Sequence, residues 1–292
     1  MPLSSGSVPA AARDRARPAT DGPEFGEGPV IMALISGLRG RFRGWINGGR
    51  FPALTRPAYG FWRLLGHARG IALRGRVIRQ VRAVPPVEHD DRRLDDVVRL
   101  IGDGFHGLIY SMQVPFEIAG FLREVERLRP RRVLEIGTAR GGTLFALTRV
   151  ADPAAFLISL DLPGGRWGGG YPWWKSKLYK SLALPGQRIE LVRGNSHAPE
   201  SFEAVKRLLG GERLDLLFID GDHEYAGAKH DFEQYRTLVR PGGMIAFHDI
   251  ADHPAGAGGD VPRLWREIRA GRDAREFVKD PNGGYGIGVI YA

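Results

Sequence analysis

The sequence predicts an α/β protein built on a doubly wound, mostly parallel, Rossmann-like sheet. From about residue 84 onwards, short apolar runs alternate with segments of helical periodicity, an order that favours parallel strands joined by helices. Several of these runs are apolar at every position, as is typical of strands buried on both faces. The first run ends in a Gly-rich turn, which is where such sheets bind ligands.

The predicted elements follow from these patterns in chain order. The predicted strands are Arg132–Ile136, Ala155–Leu160, Ile189–Val192, Leu214–Ile219, Met244–Phe247 and Ile287–Tyr291. The predicted helices are Asp91–Ile101, a segment between Pro115 and Pro130, Leu144–Val150, Phe202–Leu209, Tyr225–Leu238 and Val261–Ile268. Asp222 is expected to cap the helix that begins at Tyr225, because an acidic side chain there can accept backbone N–H groups.

The N-terminal part differs in composition from the rest of the chain. Residues 1–83 contain 14 Arg, no Lys and four acidic residues, a net charge of +10, whereas residues 84–292 sum to −1. We expect residues 1–30 to be disordered, because they show no apolar period. Residues 31–83 are predicted to form a basic amphipathic segment that either caps the main domain, residues 84–292, or lies on an anionic membrane surface. Met32 is an alternative start to Met1.

Composition also limits the kind of protein and its location. The chain contains no cysteine, which excludes disulfides, thiolate metal sites and cysteine nucleophiles and fits the cytoplasm. The apolar run Val30–Leu38 is too short to span a membrane and lacks the positive flank of a signal peptide. The near-neutral main domain argues against nucleic acid as a partner. We therefore expect a cytoplasmic protein, with peripheral contact at the inner membrane face through residues 32–83 as an alternative.

A cofactor-binding turn is predicted after the first strand. Gly137, Gly141 and Gly142 follow Glu135 in an E-x-G-x-x-x-G-G pattern, and Asp161 stands at the end of the next strand. Glycines let a ligand approach the backbone, and an acid at this place can accept ribose hydroxyls, so the sequence predicts a nucleoside-containing cofactor. Ala139 stands where the dinucleotide fingerprint G-x-G-x-x-G needs a glycine. A nicotinamide-dependent oxidoreductase is therefore the weaker alternative.

These motifs, in this order, resemble the class I S-adenosylmethionine-dependent methyltransferases. The resemblance covers residues 84–292 and includes Asp161, the D-G-D-H motif ending at His223, the R-P-G-G motif ending at Gly243, and the pair His248–Asp249. The D-G-D-H motif and the H-D pair are similar to those of metal-dependent small-molecule O-methyltransferases, a group that includes macrolide-sugar methyltransferases and cephalosporin-hydroxylase-like proteins. The implied function is methyl transfer from S-adenosylmethionine to a hydroxyl of a sugar-containing or other secondary metabolite.

The resemblance implies a role for each motif residue. Glu135 and the Gly137–Gly141 backbone would face the amino-acid part of the cofactor, Asp161 its ribose, and the turn Gly194–Ser196 its adenine. Relatives often carry an acid at the position of Asn195. The residues expected to contact the cofactor are Glu135, Gly137, Thr138, Gly141, Gly142, Asp161, Asn195, Ser196 and Asp220.

Candidates for proton transfer and metal binding lie at the ends of two neighbouring predicted strands. Asp220 ends one strand, His248 and Asp249 end the next, and such ends meet at one sheet edge. Three such side chains with open positions would suit Mg²⁺ or Mn²⁺, but histidine is a softer ligand than Mg²⁺ usually selects. The resemblance adds that metal-dependent relatives commonly carry an acid at position 248. His223 is the candidate catalytic base, since imidazole titrates near neutrality, and a structural role at a helix N-terminus is the alternative.

The segment Pro163–Trp174 is rich in glycine and aromatic residues and is predicted to form a mobile lid. Its rings suit a glycosyl or macrocyclic acceptor, or they pack on the N-terminal helices. The expected partners are a small-molecule acceptor and, as in many relatives, a second copy of the chain. A non-enzymatic alternative is a scaffold tethered to a membrane through residues 32–83.

Overall fold

The computed structural model describes residues 52–164, 170–253 and 259–292, and one compact unit runs from Ala53 to Ala292. Its first element is a continuous helix, α1 (Pro52–Arg82). This helix belongs to the same unit as the main domain, whose predicted start was residue 84. The predicted disordered residues 1–30, and the basic segment as far as residue 51, lie outside the described residues.

Seven strands of the described chain form one sheet in the order β3-β2-β1-β4-β5-β7-β6. Neighbours from β3 to β5 pair in parallel, and β7 pairs antiparallel with both β5 and β6. The sheet is thus mostly parallel, as predicted. The strands are β1 (Arg132–Ile136), β2 (Phe156–Asp161), β3 (Arg188–Arg193), β4 (Leu214–Ile219), β5 (Val239–His248), β6 (Ala274–Phe277) and β7 (Ile287–Tyr291).

Helices cover both faces of the sheet and bury two apolar layers. One layer contains buried side chains of α1 to α5, and the other contains those of α6 to α8. After α1 the helices are α2 (Asp91–Asp103), α3 (Pro115–Leu128), α4 (Gly142–Val150), α5 (Lys175–Lys180), α6 (Pro199–Leu209), α7 (Tyr225–Tyr235) and α8 (Val261–Arg269), with short 3₁₀ turns at Phe105–Gly107 and Arg236–Leu238.

Backbone hydrogen bonds align the loops that follow the parallel strands. The N–H of Gly137 donates to Leu160 O at 2.9 Å, and the N–H of Asp220 donates to Ile136 O at 2.8 Å. The carboxyl ends of β1, β2 and β4 are therefore level with one another. Ligands of doubly wound sheets bind at this edge.

The structure corrects the predicted elements at a few places. α5 and β6 were not predicted, and α1 was predicted only as an amphipathic segment interrupted by Gly and Pro. Asp222 is not the N-cap of α7: the cap is Glu224, and the Asp222 carboxylate accepts the N–H of Glu224 at 3.0 Å in the turn before the helix. In the described residues, no helix is long and apolar enough to cross a membrane.

Candidate functional site

The turn after β1, residues 137–142, is packed so tightly that its glycines have no room for a side chain. Gly137 has φ +93°, and a Cβ there would lie 1.9 Å from the carbonyl oxygen of Asp220. A Cβ on Gly142 would lie 2.2 Å from the backbone N of Ser111. Ordinary contacts with carbon are much longer, so both positions require glycine. The turn is thereby held against the loop after β4 on one side and the segment before α3 on the other.

Glu135 lies fully buried at the end of β1, below this turn. Its Oε2 accepts a hydrogen bond from Thr138 Oγ1 at 2.7 Å, and Thr138 Oγ1 is also 2.5 Å from Ser159 Oγ. Its Oε1 is buried and has no hydrogen-bond partner among the described residues. Burial raises the pKa of Glu135 to about 8, while the Thr138 hydrogen bond opposes the rise. This carboxyl group is therefore ready to accept a hydrogen bond or a positive charge from a ligand.

Asp161 ends β2 and faces the same turn. Its Oδ2 accepts the N–H of Ala139 at 2.9 Å, and its Oδ1 accepts the N–H of Gly170 at 2.8 Å. Burial raises the pKa of Asp161, although these backbone hydrogen bonds act in the opposite direction. Both carboxylate oxygens thus bind backbone amides, which orients the carboxylate, and each oxygen can accept a further hydrogen bond.

The turn after β3 carries the two residues predicted to face adenine. Asn195 Oδ1 accepts the N–H of His197 at 3.0 Å, and the carbonyl of Ser196 accepts the Tyr235 hydroxyl at 2.9 Å. The Asn195 side chain shapes its own turn, while Ser196 is tied to α7. Both residues stand at the same sheet edge as Asp161, because β3 is the neighbour of β2.

Four side chains at the ends of β4 and β5 form what we call the His–Asp cluster: Asp220, His223, His248 and Asp249. His248 Nδ1 lies 3.0 Å from Asp220 Oδ1 and 2.9 Å from Asp249 Oδ1. His223 Nδ1 is hydrogen-bonded to Asp249 Oδ2, and His223 Nε2 lies 4.0 Å from Asp220 Oδ1. The structure thus brings together the predicted base and all three predicted metal ligands.

The charges of the cluster stabilise one another. Burial lowers the pKa of His248, but Asp220 and Asp249 outweigh burial, and the pKa lies well above its usual value. Burial lowers the pKa of His223, but the hydrogen bond with Asp249 and the charges of Asp220 and Asp249 together outweigh burial, and the net pKa is raised. Burial raises the pKa of Asp249, but hydrogen bonds and charges from both imidazoles act in the opposite direction, and the net pKa lies below its usual range. The imidazoles of this cluster therefore favour the charged form of the Asp249 carboxylate.

The geometry of the cluster does not fit the predicted divalent cation. A metal ligand must direct a lone pair at the ion, whereas His248 Nδ1 is placed between two carboxylates as a hydrogen-bond donor. The other ring nitrogen, Nε2, is buried without a hydrogen-bond partner in the described residues. In that part of the chain, no group of three or more His, Asp or Glu side chains has a metal-binding arrangement. Asp220, His248 and Asp249 therefore do not form a converging ligand set.

Gln113 belongs to the site although no sequence motif pointed to it. Its Nε2 donates to Asp220 Oδ2 at 2.8 Å, and its Oε1 accepts from Thr143 Oγ1 at 2.8 Å. Gln113 precedes α3, and 107 positions separate it from Asp220. No local pattern signals a contact across such a separation. Gln113 links the His–Asp cluster to the first turn of α4.

The aromatic residues of the predicted lid divide into two groups. Trp174 is buried and packs edge-on against His67 of α1, where a Cβ on Gly70 would lie 2.3 Å from its ring. Tyr171 is also buried, whereas Trp173 is 76% exposed. Of the two predicted roles for these rings, contact with an acceptor or packing on the N-terminal helices, Trp174 has the second. Residues 165–169 of this segment, with Trp167, lie outside the described residues.

Comparison with known proteins shows what this sheet edge is similar to. Residues 134–250 match a family model described as a methyltransferase domain. This stretch of the chain is therefore similar to methyltransferases. The match runs from β1 to just beyond the His–Asp cluster, so it includes every predicted site residue, and it leaves out Gln113.

Two curated relatives match parts of this chain. An uncharacterized protein of Acanthamoeba polyphaga mimivirus is 35% identical over 125 residues, which are 41% of this chain and 52% of the relative. An uncharacterized protein of Sinorhizobium fredii is 27% identical over 170 residues, 57% of this chain and 18% of the relative. The chain thus spans about half, or less, of the length of these relatives.

Solved structures with a similar fold include two methyltransferases. An O-methyltransferase from Bacillus cereus in complex with SAH has a TM-score of 0.48 and 20% identity, and the match covers 68% of this chain and 90% of that one. The MycE methyltransferase of mycinamycin biosynthesis, in complex with Mg, SAH and mycinamycin VI, has a TM-score of 0.45 and 18% identity, with 67% and 54% covered.

Proposed function

We propose that this domain transfers a methyl group from S-adenosylmethionine to a hydroxyl of a small molecule, with sugar-containing or other secondary metabolites as the acceptor class. One observation carries the proposal: a buried, unpaired carboxyl group and an imidazole–carboxylate pair lie at one sheet edge. Asp220 joins the two, because its backbone carbonyl contacts Gly137 and its side chain belongs to the His–Asp cluster.

The donor side of the site is formed by β1, β2 and β3. When bound, S-adenosylmethionine supplies a methyl group on a positively charged sulfur. Glu135 Oε1 suits the positively charged amino group of this cofactor, since a buried carboxylate needs a charged or hydrogen-bonding partner. Asp161 would accept the ribose hydroxyls on acceptor sites that its backbone amides leave open. Asn195 and Ser196 would line the adenine.

The acceptor side depends on His223 as general base. Asp249 accepts a hydrogen bond from His223 Nδ1, which orients the ring and leaves Nε2 as the proton-accepting nitrogen. The acceptor oxygen forms the new bond to the methyl carbon, and the carbon–sulfur bond breaks with its electron pair remaining on sulfur. The hydroxyl proton passes to His223 Nε2. Asp249 then stabilises the imidazolium.

The first experiment is isothermal titration of the full chain with S-adenosylhomocysteine. We expect saturable binding, and absence of binding at millimolar ligand would contradict the proposal. Transfer of a radiolabelled methyl group from S-adenosylmethionine is then measured on a panel of phenols, methyl glycosides and macrocyclic glycosides. This panel identifies the acceptor class.

The role of His223 is tested with a matched pair of variants. His223→Ala should lower turnover by about 10²- to 10⁴-fold, because general base catalysis contributes about that much. Its S-adenosylhomocysteine affinity should stay within about two-fold of the wild type. His89→Ala is the control, since the His89 side chain is exposed. Equal turnover in both variants would remove His223 from the mechanism.

We also propose a peripheral contact between α1 and anionic membranes. Leu64 is 65% exposed and Ile71 is 46% exposed, whereas Val77 and Val81 are buried. The helix carries seven Arg and no acidic residue, so an anionic surface is the matching partner. Leu64→Glu with Ile71→Glu should abolish co-sedimentation with phosphatidylglycerol vesicles and leave turnover unchanged. Vesicle binding that persists in this double variant would contradict the proposal.

A further inference from the structure

His248 occupies the position between two carboxylates that a divalent cation would need. Its Nδ1 is 3.0 Å from Asp220 Oδ1 and 2.9 Å from Asp249 Oδ1, and the side chain is 6% exposed. Distances of this size between a ring nitrogen and two carboxylate oxygens require a proton on the nitrogen. A cation bound to these oxygens would collide with that N–H group.

The surroundings of His248 explain why a hydrogen-bond donor belongs there. Asp220 is mostly buried and Asp249 is buried, and buried carboxylate oxygens need donors close to them. The groups that face His248 are Asp220, Asp249 and, at the edge of the cluster, His223 and Tyr285, whose ring centroid is 6.3 Å away. Gln113 donates its amide N–H to the second oxygen of Asp220 but carries no charge.

We propose that His248 replaces the divalent cation, so that its Nδ1–H group holds Asp220 and Asp249 in place and the domain needs no bound metal. This inference rests on the proposed function, since it concerns the same site. His248 is a positioning residue: it fixes the carboxylate of Asp249, which in turn orients His223.

The test compares metal binding by the wild type, His248→Asp and His248→Asn. MnCl₂ and MgCl₂ are titrated calorimetrically into each full-length protein in the presence of S-adenosylhomocysteine. The wild type should give no saturable heat up to millimolar metal. His248→Asp adds a third carboxylate to the cluster and should gain a Mn²⁺ site at least ten-fold tighter than any binding by the wild type. His248→Asn adds no charge and should gain no site.

Thermal unfolding supplies a readout that does not depend on turnover. His248→Asp should unfold at a lower temperature than the wild type in EDTA, because three carboxylates repel one another, and Mn²⁺ should restore its stability. Histidine labelled with ¹⁵N reports the position of the proton directly: in the wild type, Nδ1 of His248 should carry a proton and donate it to the carboxylates. A variant is needed only to assign the signal.

Each outcome decides a separate point. Saturable, stoichiometric Mn²⁺ or Mg²⁺ binding by the wild type that disappears in Asp249→Asn would overturn the inference and establish the metal site that the resemblance implies. A His248 ring whose Nδ1 carries no proton would overturn it as well. Failure to bind S-adenosylhomocysteine would contradict the proposed function instead, whatever the metal result.

Discussion

The two halves of the site hold their carboxyl groups in opposite ways. On the donor side, Glu135 is buried without a cation of the protein beside it, and its pKa rises to about 8. On the acceptor side, Asp249 is also buried, but two imidazoles surround it and its pKa falls below the usual range. Burial alone raises the pKa of a carboxyl group, so the neighbours make the difference.

This contrast separates the half of the site that gains a counter-charge from a ligand from the half whose carboxylates already have partners within the protein. The donor side contains a carboxyl group that gains a counter-charge when a positively charged ligand binds. On the acceptor side, the Asp249 carboxylate already contacts the rings of both His223 and His248 before any ligand arrives. A site organised in this way would bind the cofactor through charge and activate the acceptor through a fixed base.

The largest expected effect concerns Gly137, where the two halves touch. Gly137→Ala combines a positive φ with a Cβ 1.9 Å from the Asp220 carbonyl, and it should lower the free energy of unfolding by about 2–5 kcal/mol. Gly210→Ala is the matched control: Gly210 has φ +60° and open space around its Cβ position, so only the backbone cost of about 1 kcal/mol remains. Urea denaturation measures both. Equal losses of unfolding free energy in the two variants would show that the close contact between Gly137 and the Asp220 carbonyl does not disfavour a side chain at position 137.

A smaller effect concerns the charge of Glu135. At pH 7 this carboxyl group is mostly protonated, so binding of a cationic amino group should release close to one proton. Titration with S-adenosylhomocysteine in buffers of different ionisation enthalpy measures that release. Glu135→Gln should abolish it and weaken binding by about ten- to hundred-fold, since hydrogen bonds to charged groups contribute about 1.5–3 kcal/mol. Undiminished proton release in Glu135→Gln would assign the proton to another group.

The sequence predicted most of the sheet because buried parallel strands are continuous apolar runs. β1, β4 and β7 have the predicted bounds. β6 was not predicted, because it is a short edge strand with Arg275 and Glu276 at its centre and shows no alternation of apolar and polar residues. α1 was not predicted as one continuous helix, because glycines interrupt its helical periodicity. One of them, Gly70, is needed for the packing of Trp174.

The residues of the site could be predicted where they belong to local sequence motifs, but not where segments distant in sequence meet. The spacing of Asp220, His223, His248 and Asp249 places them at neighbouring strand ends, and they do lie together. Their internal arrangement, with His248 as a donor between carboxylates, depends on side-chain orientation that no spacing encodes. Gln113 reaches the cluster only through the three-dimensional fold.

The smallest expected effect is the pH dependence of stability, where the two halves act in different pH ranges. Glu135 holds its proton in the folded state up to about pH 8, whereas the unfolded chain loses it near the ordinary value of 4.5. Between these values the folded state binds more protons, so the free energy of unfolding falls as pH rises, by at most about 1.4 kcal/mol per pH unit. For Asp249, with its lowered pKa, stability is instead lost as pH falls below about 4.

The contribution of Glu135 is isolated by subtracting the stability curve of Glu135→Gln from that of the wild type. This subtraction cancels the contributions of other groups, among them Asp231, whose pKa burial raises to about 7. Urea denaturation at pH 5.5, 6.5 and 7.5 should therefore show that the free energy of unfolding declines more steeply with pH in the wild type than in Glu135→Gln. Parallel curves would mean that Glu135 is ionised in the folded protein and has a counter-charge before any ligand binds.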